Sequence, residues 1–254
     1  MGNIPSHPFE KMKTLDKLLV WSESVDGMVR LLDAIQESIN QSSQAGTALI
    51  RHLEESLQRK NDQDPGAGKL KQAWVDSGKR LGHIGGMLEY FTNLLKPRDL
   101  RIEPIDIKGL FQEAIAPFKP TIDEKRIALD INVNNGEELL RTDRFFLNHA
   151  LMNLIHNAVY FTPSDGVVNL FSTEEPEPAK LITVSDSGPG IPEDLHETVF
   201  RPFYSTKIID AFGCGLGLPM AKLLLHRIQG SLALDGEYKK GARFTVRIPA
   251  GPSQ

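Results

Sequence analysis

The stretch VSDSGPGIP, Val184 to Pro192, has the sequence of a strand that runs into a glycine-rich turn. Asp186 ends the β-branched part, and Gly188 and Gly190 follow it at two-residue steps. A carboxylate at the end of a strand, followed by residues without side chains, allows the backbone to approach a flat ligand closely. Taken alone, the stretch also fits an ordinary tight turn, so the flanking segments must decide between the two interpretations.

A helical pattern that carries two asparagines lies upstream. In NHALMNLIHNAVYFTP, Asn148 to Pro163, Asn153 and Asn157 are four residues apart and therefore project from one face of a helix. Their carboxamide oxygens are suitable ligands for Mg²⁺, which accepts neutral oxygen donors beside phosphate groups. Two polar residues on the flank of a helix are the simpler interpretation when the pair is taken alone.

A glycine-rich segment lies downstream. GCGLGL, Gly213 to Leu218, opens the helical pattern LPMAKLLLHRI. Glycines at the start of a helix expose backbone N–H groups and the positive end of the helix dipole, which together form an anion site. The segment is not a dinucleotide fingerprint, because no strand immediately precedes it, and it lacks the Lys-Ser/Thr of a P-loop.

The order of these segments, with VFRPFYSTK between the second and third, resembles the N, G1, F and G2 boxes of the histidine-kinase branch of the Bergerat-fold (GHKL) ATPases. The resemblance covers residues 100–249 and implies an ATP-binding α/β sandwich that uses Mg²⁺. In the hydrolysing branch of this family a Glu that activates water stands where this chain has Asn153, which cannot act as a general base. Kinase-type chemistry is therefore favoured over ATP hydrolysis.

The resemblance also implies roles for single residues. Asp186 would accept a hydrogen bond from the adenine amino group, and Asn153 and Asn157 would hold Mg²⁺ on the phosphates. Phe200 and Phe203 would anchor a mobile lid at residues 205–212. The remaining nucleotide-binding positions implied are Tyr160, Gly188, Gly190, Lys207, Gly213, Gly215, Leu216 and Gly217.

Two of these positions have special interest. Lys207 would reach a phosphate from the lid. Tyr160 stands where the family usually has Lys, so one phosphate contact is missing or is replaced by a hydroxyl, which leaves the affinity for ATP open.

The first part of the chain has a period of seven. One apolar row runs from Leu18 to Leu53 and a second from Trp21 to Leu49, and the pattern resumes from Leu70 to Leu95 after a tight reversal predicted at NDQDPGAG, Asn61 to Gly68. Two such helices form an antiparallel hairpin that buries only part of each row, so we predict a homodimeric four-helix bundle. The predicted domains are a helical hairpin at residues 1–97 and the ATP-binding domain at residues 98–254, an α+β arrangement overall.

The predicted ATP-binding domain alternates strand-like and helical segments. The predicted strands are LRIEPIDI, IALDINV, VVNLFS, KLITVSD, SLALDG and ARFTVRI, and the predicted helices are KGLFQEAIAPF, FFLNHALMNLIHNAVYF and LPMAKLLLHRI. This alternation predicts a mixed sheet with helices on one face.

The hairpin resembles the dimerisation and histidine-phosphotransfer hairpin of the same kinases, whose first helix carries His-Glu-x-x-Thr-Pro. Alignment from the reversal places Gln41 at the histidine, on an outward-facing position, Ser42 at the acidic residue, Ala45 at the threonine and Gly46 at the proline. An amide has no lone pair basic enough to attack phosphorus, so the usual phospho-acceptor is missing.

Three functions therefore remain open. The first is a dimeric Mg-ATP-binding regulator of two-component signalling that lacks the acceptor. The second is an active autokinase that uses another histidine and passes phosphate to a response regulator. His52 is the first candidate for this histidine, and His83 is the second. The third is a dimerisation scaffold with a vestigial ATP site. Whether the chain is an enzyme is left open by the sequence, as are its stimulus and its partner.

Composition excludes several other classes. The chain has 254 residues, 40% hydrophobic and 24% charged, which is ordinary for a globular protein. With a formal net charge of -4 and no long run of Lys and Arg, nucleic acid is not an expected partner. The single cysteine, Cys214, fits a reducing compartment, and no apolar stretch reaches the length of a membrane span. We expect a cytoplasmic protein with no membrane partner.

Overall fold

The computed structural model describes residues 25–60, 65–133, 139–174, 179–205 and 215–249. The chain divides into two compact units, and the division between them falls between Lys96 and Pro97. Among the described helices, none is both long and apolar enough to cross a lipid bilayer.

The first unit contains two long helices, α1 (Val25–Lys60) and α2 (Pro65–Leu95). They run antiparallel, because Gln36 of α1 lies against Gly85 of α2, whereas Gly46, further along α1, lies against the earlier residue Trp74. Their buried apolar side chains are Met28, Leu31, Leu32, Leu88, Phe91, Leu94 and Leu95. The predicted helical N-terminal region is confirmed, while its pairing into a four-helix bundle stays a prediction.

Two details of the predicted hairpin need correction. The reversal is shorter than predicted, because Pro65 to Gly68 already belong to α2. Proline suits the first turn of a helix, where its fixed φ is helical and its missing N–H would have no partner. Ser42, predicted to lie on an apolar row, is exposed, whereas Met28 and Leu32 of the two rows are buried. The part of each row before residue 25 lies outside the described residues.

Gly46 makes room for a tryptophan. A Cβ atom at Gly46 would lie 1.7 Å from Cη2 and 1.8 Å from Cζ2 of Trp74. The indole therefore packs directly over the backbone of α1, at the point where the apolar rows lose their large side chains. The gap in the sequence pattern of α1 is filled by a side chain of α2.

We expect Gly46→Ala to destabilise the hairpin in the wild-type background, because moving an indole out of a packed position costs about 1–3 kcal/mol. In a Trp74→Ala background the same substitution should stabilise by about 0.5–1 kcal/mol, since alanine is the better helix former. Urea unfolding of the four proteins measures both effects. An equal effect of Gly46→Ala in the two backgrounds would contradict the packing of Trp74 on Gly46.

The second unit is built on a mixed sheet of five strands. In spatial order they are β2 (Ala128–Val133), β4 (Val167–Glu174), β5 (Ala179–Asp186), β7 (Arg243–Pro249) and β6 (Ser231–Leu234). The β2–β4 pair is parallel and the other pairs are antiparallel. A separate antiparallel pair joins β1 (Ile102–Ile105) to β3 (Leu140–Asp143). Each of the six predicted strand segments overlaps one of these strands.

Helices cover the buried side of the sheet. They are α3 (Ile107–Ile115), α4 (Lys119–Lys125), α5 (Arg144–Phe161) and α6 (Gly217–Arg227), with α3, α5 and α6 in contact with β2, β5 and β6 respectively. Leu170, Val184, Ile182 and Val246 occupy paired positions across neighbouring strands and are all buried. The predicted α/β sandwich is confirmed.

Asp143 fixes the start of α5. Its side chain is 1% exposed, Oδ1 accepts a hydrogen bond from the N–H of Phe146 at 3.2 Å, and Oδ2 accepts one from the N–H of Arg101 at 2.8 Å. A side-chain acceptor at this position satisfies one of the free N–H groups of the first turn. The strand β3, which ends in this residue, and the helix α4 were both missed by the sequence pattern.

Candidate functional site

Asp186 lies at the end of β5 and is 4% exposed. Its Oδ1 accepts hydrogen bonds from the N–H groups of Gly188 at 2.8 Å and Ala242 at 3.2 Å. In the part of the chain that the structure describes, Oδ2 accepts no hydrogen bond. Burial raises the pKa of Asp186, and the two N–H donors partly oppose this shift. One carboxylate oxygen is thus fixed by the protein, and the other is left to accept a hydrogen bond from a ligand.

The turn after β5 requires glycine at two positions. A Cβ atom at Gly188 would lie 2.8 Å from the carbonyl oxygen of Phe161 and 2.9 Å from Oδ1 of Asp186. Gly190 has φ +76°, a conformation that residues with a side chain rarely adopt. Phe161 is the last residue of α5, so the aspartate turn packs against the end of the helix that carries the asparagines.

Asn153 and Asn157 face the beginning of α6. A Cβ atom at Gly217 would lie 3.4 Å from Oδ1 of Asn153 and 3.9 Å from Nδ2 of Asn157. The Nδ2 of Asn153 donates to the carbonyl oxygen of His149 at 2.9 Å, which turns Oδ1 towards Gly217. Residues that are sixty or more positions apart in the sequence therefore lie close together, and a carboxamide oxygen is available next to a helix N-terminus.

The N-terminus of α6 has N–H donors without an acceptor among the described residues. The helix begins at Gly217, and Leu216, which precedes it, is buried and makes no side-chain cap. The first N–H groups of a helix have no intrahelical partner, so those of Gly217 and Leu218 are available to an anion. The positive end of the helix dipole favours negative charge at the same place.

The described residues on either side of the segment 206–214 contact each other beside this helix. The N–H of Phe203 donates to the carbonyl oxygen of Gly215 at 3.0 Å. Gly215 has φ +69°, and a Cβ atom there would lie 2.5 Å from the carbonyl oxygen of Tyr204. Lys207 and Gly213, both predicted to contact phosphate, lie outside the described residues.

Tyr160 is half-buried one turn beyond His156, with its ring centroid 5.0 Å from that of Phe161. The Nζ of Lys125 lies 5.9 Å from the centre of the Tyr160 ring. This ammonium donates to the carbonyl oxygens of Val159 at 2.9 Å, Tyr160 at 2.8 Å and Thr162 at 3.0 Å. Lys125 therefore caps the C-terminal end of α5, a role that no local sequence pattern indicated.

The predicted acceptor position is exposed on α1. Gln41 donates from Nε2 to Oε1 of Glu37 at 2.8 Å, one turn earlier on the same helix. His52, the alternative acceptor, is also exposed. The side chain of His83 lies outside the described residues.

The histidines of the second unit lie in structural or surface positions. The ring of His156 lies 5.6 Å from that of Phe118, His196 pairs with the carbonyl oxygen of Ile191 at 3.0 Å, and His226 is exposed. Burial lowers the pKa of His149, the nearby guanidinium of Arg98 lowers it further, and Glu113 partly opposes the shift. His149 therefore favours the neutral form.

Comparison with known proteins agrees with this geometry. Residues 142–252 match the family model described as histidine kinase-, DNA gyrase B- and HSP90-like ATPase. The sensor histidine kinase ZraS of Escherichia coli O157:H7 is 28% identical over 185 residues, which make up 73% of this chain and 40% of that protein. The chain thus spans about two fifths of the length of that sensor kinase.

Solved structures give the same result. The structure of full-length ShkA in complex with AMPPNP is 26% identical to this chain, with a TM-score of 0.57, over 84% of this chain and 45% of that one. The histidine kinase ThkA in complex with the response regulator protein TrrA has a TM-score of 0.59 over 94% of this chain and 68% of that one. At 21% identity, the second likeness concerns the fold alone.

Proposed function

We propose that this chain binds Mg-ATP and acts as a dimeric regulator of two-component signalling. Its residues 142–252 form a histidine kinase-, DNA gyrase B- and HSP90-like ATPase domain that is homologous to those of sensor histidine kinases. In this proposal the hairpin receives no phosphate, because Gln41 replaces the usual acceptor. The observation that carries the nucleotide site is the position of the first residue of α6, where a Cβ atom at Gly217 would lie 3.4 Å from Oδ1 of Asn153 and 3.9 Å from Nδ2 of Asn157.

Each end of the nucleotide has a suitable group in the chain. Oδ2 of Asp186 is free to accept from the amino group of adenine, and the N–H groups of Gly217 and Leu218 suit a phosphate. Asn153 and Asn157 offer neutral carboxamide groups, and no group of three His, Cys, Asp or Glu side chains in the described part of the chain is arranged to hold a metal ion. Mg²⁺ would therefore bind together with the phosphates, whose negative charge it neutralises.

The signalling part of the proposal rests on the hairpin. The exposed Gln41 side chain pairs with Glu37 and offers no nucleophile, although it occupies the outer face. On α2, the large side chains of Val75 and Tyr90 are 41% and 42% exposed. Their exposure supports the packing of a partner helix along α2. ThkA is a histidine kinase that forms a complex with a response regulator, so a response regulator is the class of partner that we propose.

Equilibrium titration with ATP, with and without Mg²⁺, tests the nucleotide site. We expect saturable, magnesium-dependent binding to the wild-type chain. Asn153→Ala should weaken binding of Mg-ATP about 10- to 100-fold and binding of metal-free ATP much less, because it removes a metal ligand. Asn148→Ala is the matched control, since Asn148 lies on the same helix but donates to Glu113 at 3.1 Å. Absence of saturable binding by the wild-type chain would refute the proposal.

A second candidate function is autophosphorylation on His52. Its support is the exposure of this histidine on α1, with Glu55 also exposed one turn later. The first proposal is preferred because it does not require transfer of phosphate to a histidine outside the position that the family uses. The scaffold with a vestigial site is the least favoured reading, since Asp186 and its hydrogen bonds are in place.

A further inference from the structure

The connection between β6 and β7 ends against the aspartate of the nucleotide site. Gly241 has φ +145°, and a Cβ atom there would lie 1.9 Å from the carbonyl oxygen of Asp186 and 2.8 Å from its Oδ1. A side chain at residue 241 would therefore displace Asp186 or the connection itself, since one of the two obstacles is backbone.

The next residue binds Asp186 twice. The N–H of Ala242 donates to Oδ1 of Asp186 at 3.2 Å, and the N–H of Asp186 donates to the carbonyl oxygen of Ala242 at 2.9 Å. Together with the N–H of Gly188, Ala242 satisfies Oδ1, so rotation of the carboxylate would break two hydrogen bonds. The orientation of Oδ2 is thereby fixed by backbone groups from two separate parts of the chain.

The two parts also contact each other. A Cβ atom at Gly190 would lie 3.0 Å from the carbonyl oxygen of Gly241. The turn after β5 and the end of the β6–β7 connection therefore pack closely against each other around the carboxylate. The sequence around Asp186 does not indicate Gly241 and Ala242, because they lie more than fifty residues further along the chain.

We propose that Gly241 and Ala242 are positioning residues that determine base specificity: they hold Asp186 so that Oδ2 meets an exocyclic amino group and rejects a carbonyl at the same place on a purine. An ionised carboxylate accepts hydrogen bonds and cannot donate one, so a base carbonyl oxygen facing Oδ2 is repelled. The inference rests on the proposed binding of ATP.

The test compares ATP with inosine triphosphate, which has the same sugar and phosphates but a carbonyl in place of the amino group. We expect the wild-type chain to prefer ATP by about 10- to 100-fold. Gly241→Ala should bring this ratio close to one, while the ratio of ATP to ADP affinity stays as in the wild type, because the phosphate end is untouched. A general loss of structure would lower all three affinities together.

Two further variants keep the test decisive. Gly236→Ala is the matched control in the same connection, where the nearest atoms to an added Cβ are those of the His196 ring at 3.2 and 3.3 Å. Replacing Ala242 by lactic acid keeps the methyl side chain but turns the N–H donor into an ester oxygen, and it should also lower the ATP preference. The ester variant tests the positioning role if Gly241→Ala does not fold.

The outcomes are distinct. An unchanged ATP preference in both Gly241→Ala and the ester variant would overturn the positioning role while leaving the proposed function in place. No binding of ATP by the wild-type chain would overturn the proposed function and this inference with it.

Discussion

Asp186→Asn should strongly weaken binding of ATP without unfolding the domain. The amide oxygen can still accept from the N–H groups of Gly188 and Ala242, so the amide nitrogen takes the place of Oδ2 and presents a donor to the donor group of adenine. We expect a loss of about 2–4 kcal/mol of binding free energy, or roughly 30- to 1000-fold in Kd. Titration with Mg-ATP measures the loss, and Asp130→Asn, an exposed residue of β2, is the matched control.

The same substitution should raise stability at neutral pH in the absence of nucleotide. Burial raises the pKa of Asp186 in the folded state. The stability that this carboxyl contributes is therefore fully present below its unfolded-state pKa of about 3.9, and it is lost as the pH rises through the folded-state pKa. Asparagine does not ionise, so its advantage should be small near pH 4 and larger at pH 7. Urea unfolding at the two pH values measures it. A variant that is less stable than the wild type at pH 7 would contradict the buried, desolvated state of this carboxylate.

Lys125→Met should destabilise the second unit. The substitution keeps the apolar stem but removes the ammonium, leaving three carbonyl oxygens at the end of α5 without their donor. We expect a cost of about 2–3 kcal/mol, because hydrogen bonds from a charged group are stronger than neutral ones and a cation also stabilises a helix C-terminus. A fall in Tm of about 4–12 °C should follow for a domain of this size.

Thermal unfolding of Lys125→Met beside Lys119→Met isolates the effect. Lys119 is exposed and lies on the same short helix, so its loss should change Tm by no more than a degree or two, since about 0.5 kcal/mol is usual for a surface substitution. Equal Tm values for the two variants would mean that the carbonyl groups of α5 do not depend on Lys125.

The polar groups of the candidate nucleotide site belong to short local patterns, which is why the sequence could indicate them. Asp186 and its glycines follow a strand, the two asparagines are one helical turn apart, and the glycines after residue 212 precede a helix. The structure brings the described members of these patterns together. Gly217, the first residue of α6, lies next to the two asparagines of α5.

The residues that the sequence did not reveal act through contacts between distant segments. Lys125 binds carbonyl groups more than thirty residues away, and Ala242 binds a carboxylate 56 residues before it. In each contact one of the two partners is a backbone group, which leaves no trace in residue type. The strand β3 was missed because only four residues form it and two of them are charged. Gly46 looked like a defect in an apolar row until Trp74, on the other helix, was found to occupy the space.

The covalent transfer of phosphate to the chain tests the central proposal most directly. The chain is incubated with γ-labelled ATP and Mg²⁺ at a concentration that saturates the site, and acid-labile protein-bound phosphate is counted beside Asp186→Ala and His52→Ala. We predict bound nucleotide and no acid-labile label, because the Gln41 amide is not a nucleophile. Acid-labile label on the wild-type chain that disappears in both variants would contradict the regulator proposal and establish an autokinase that uses His52.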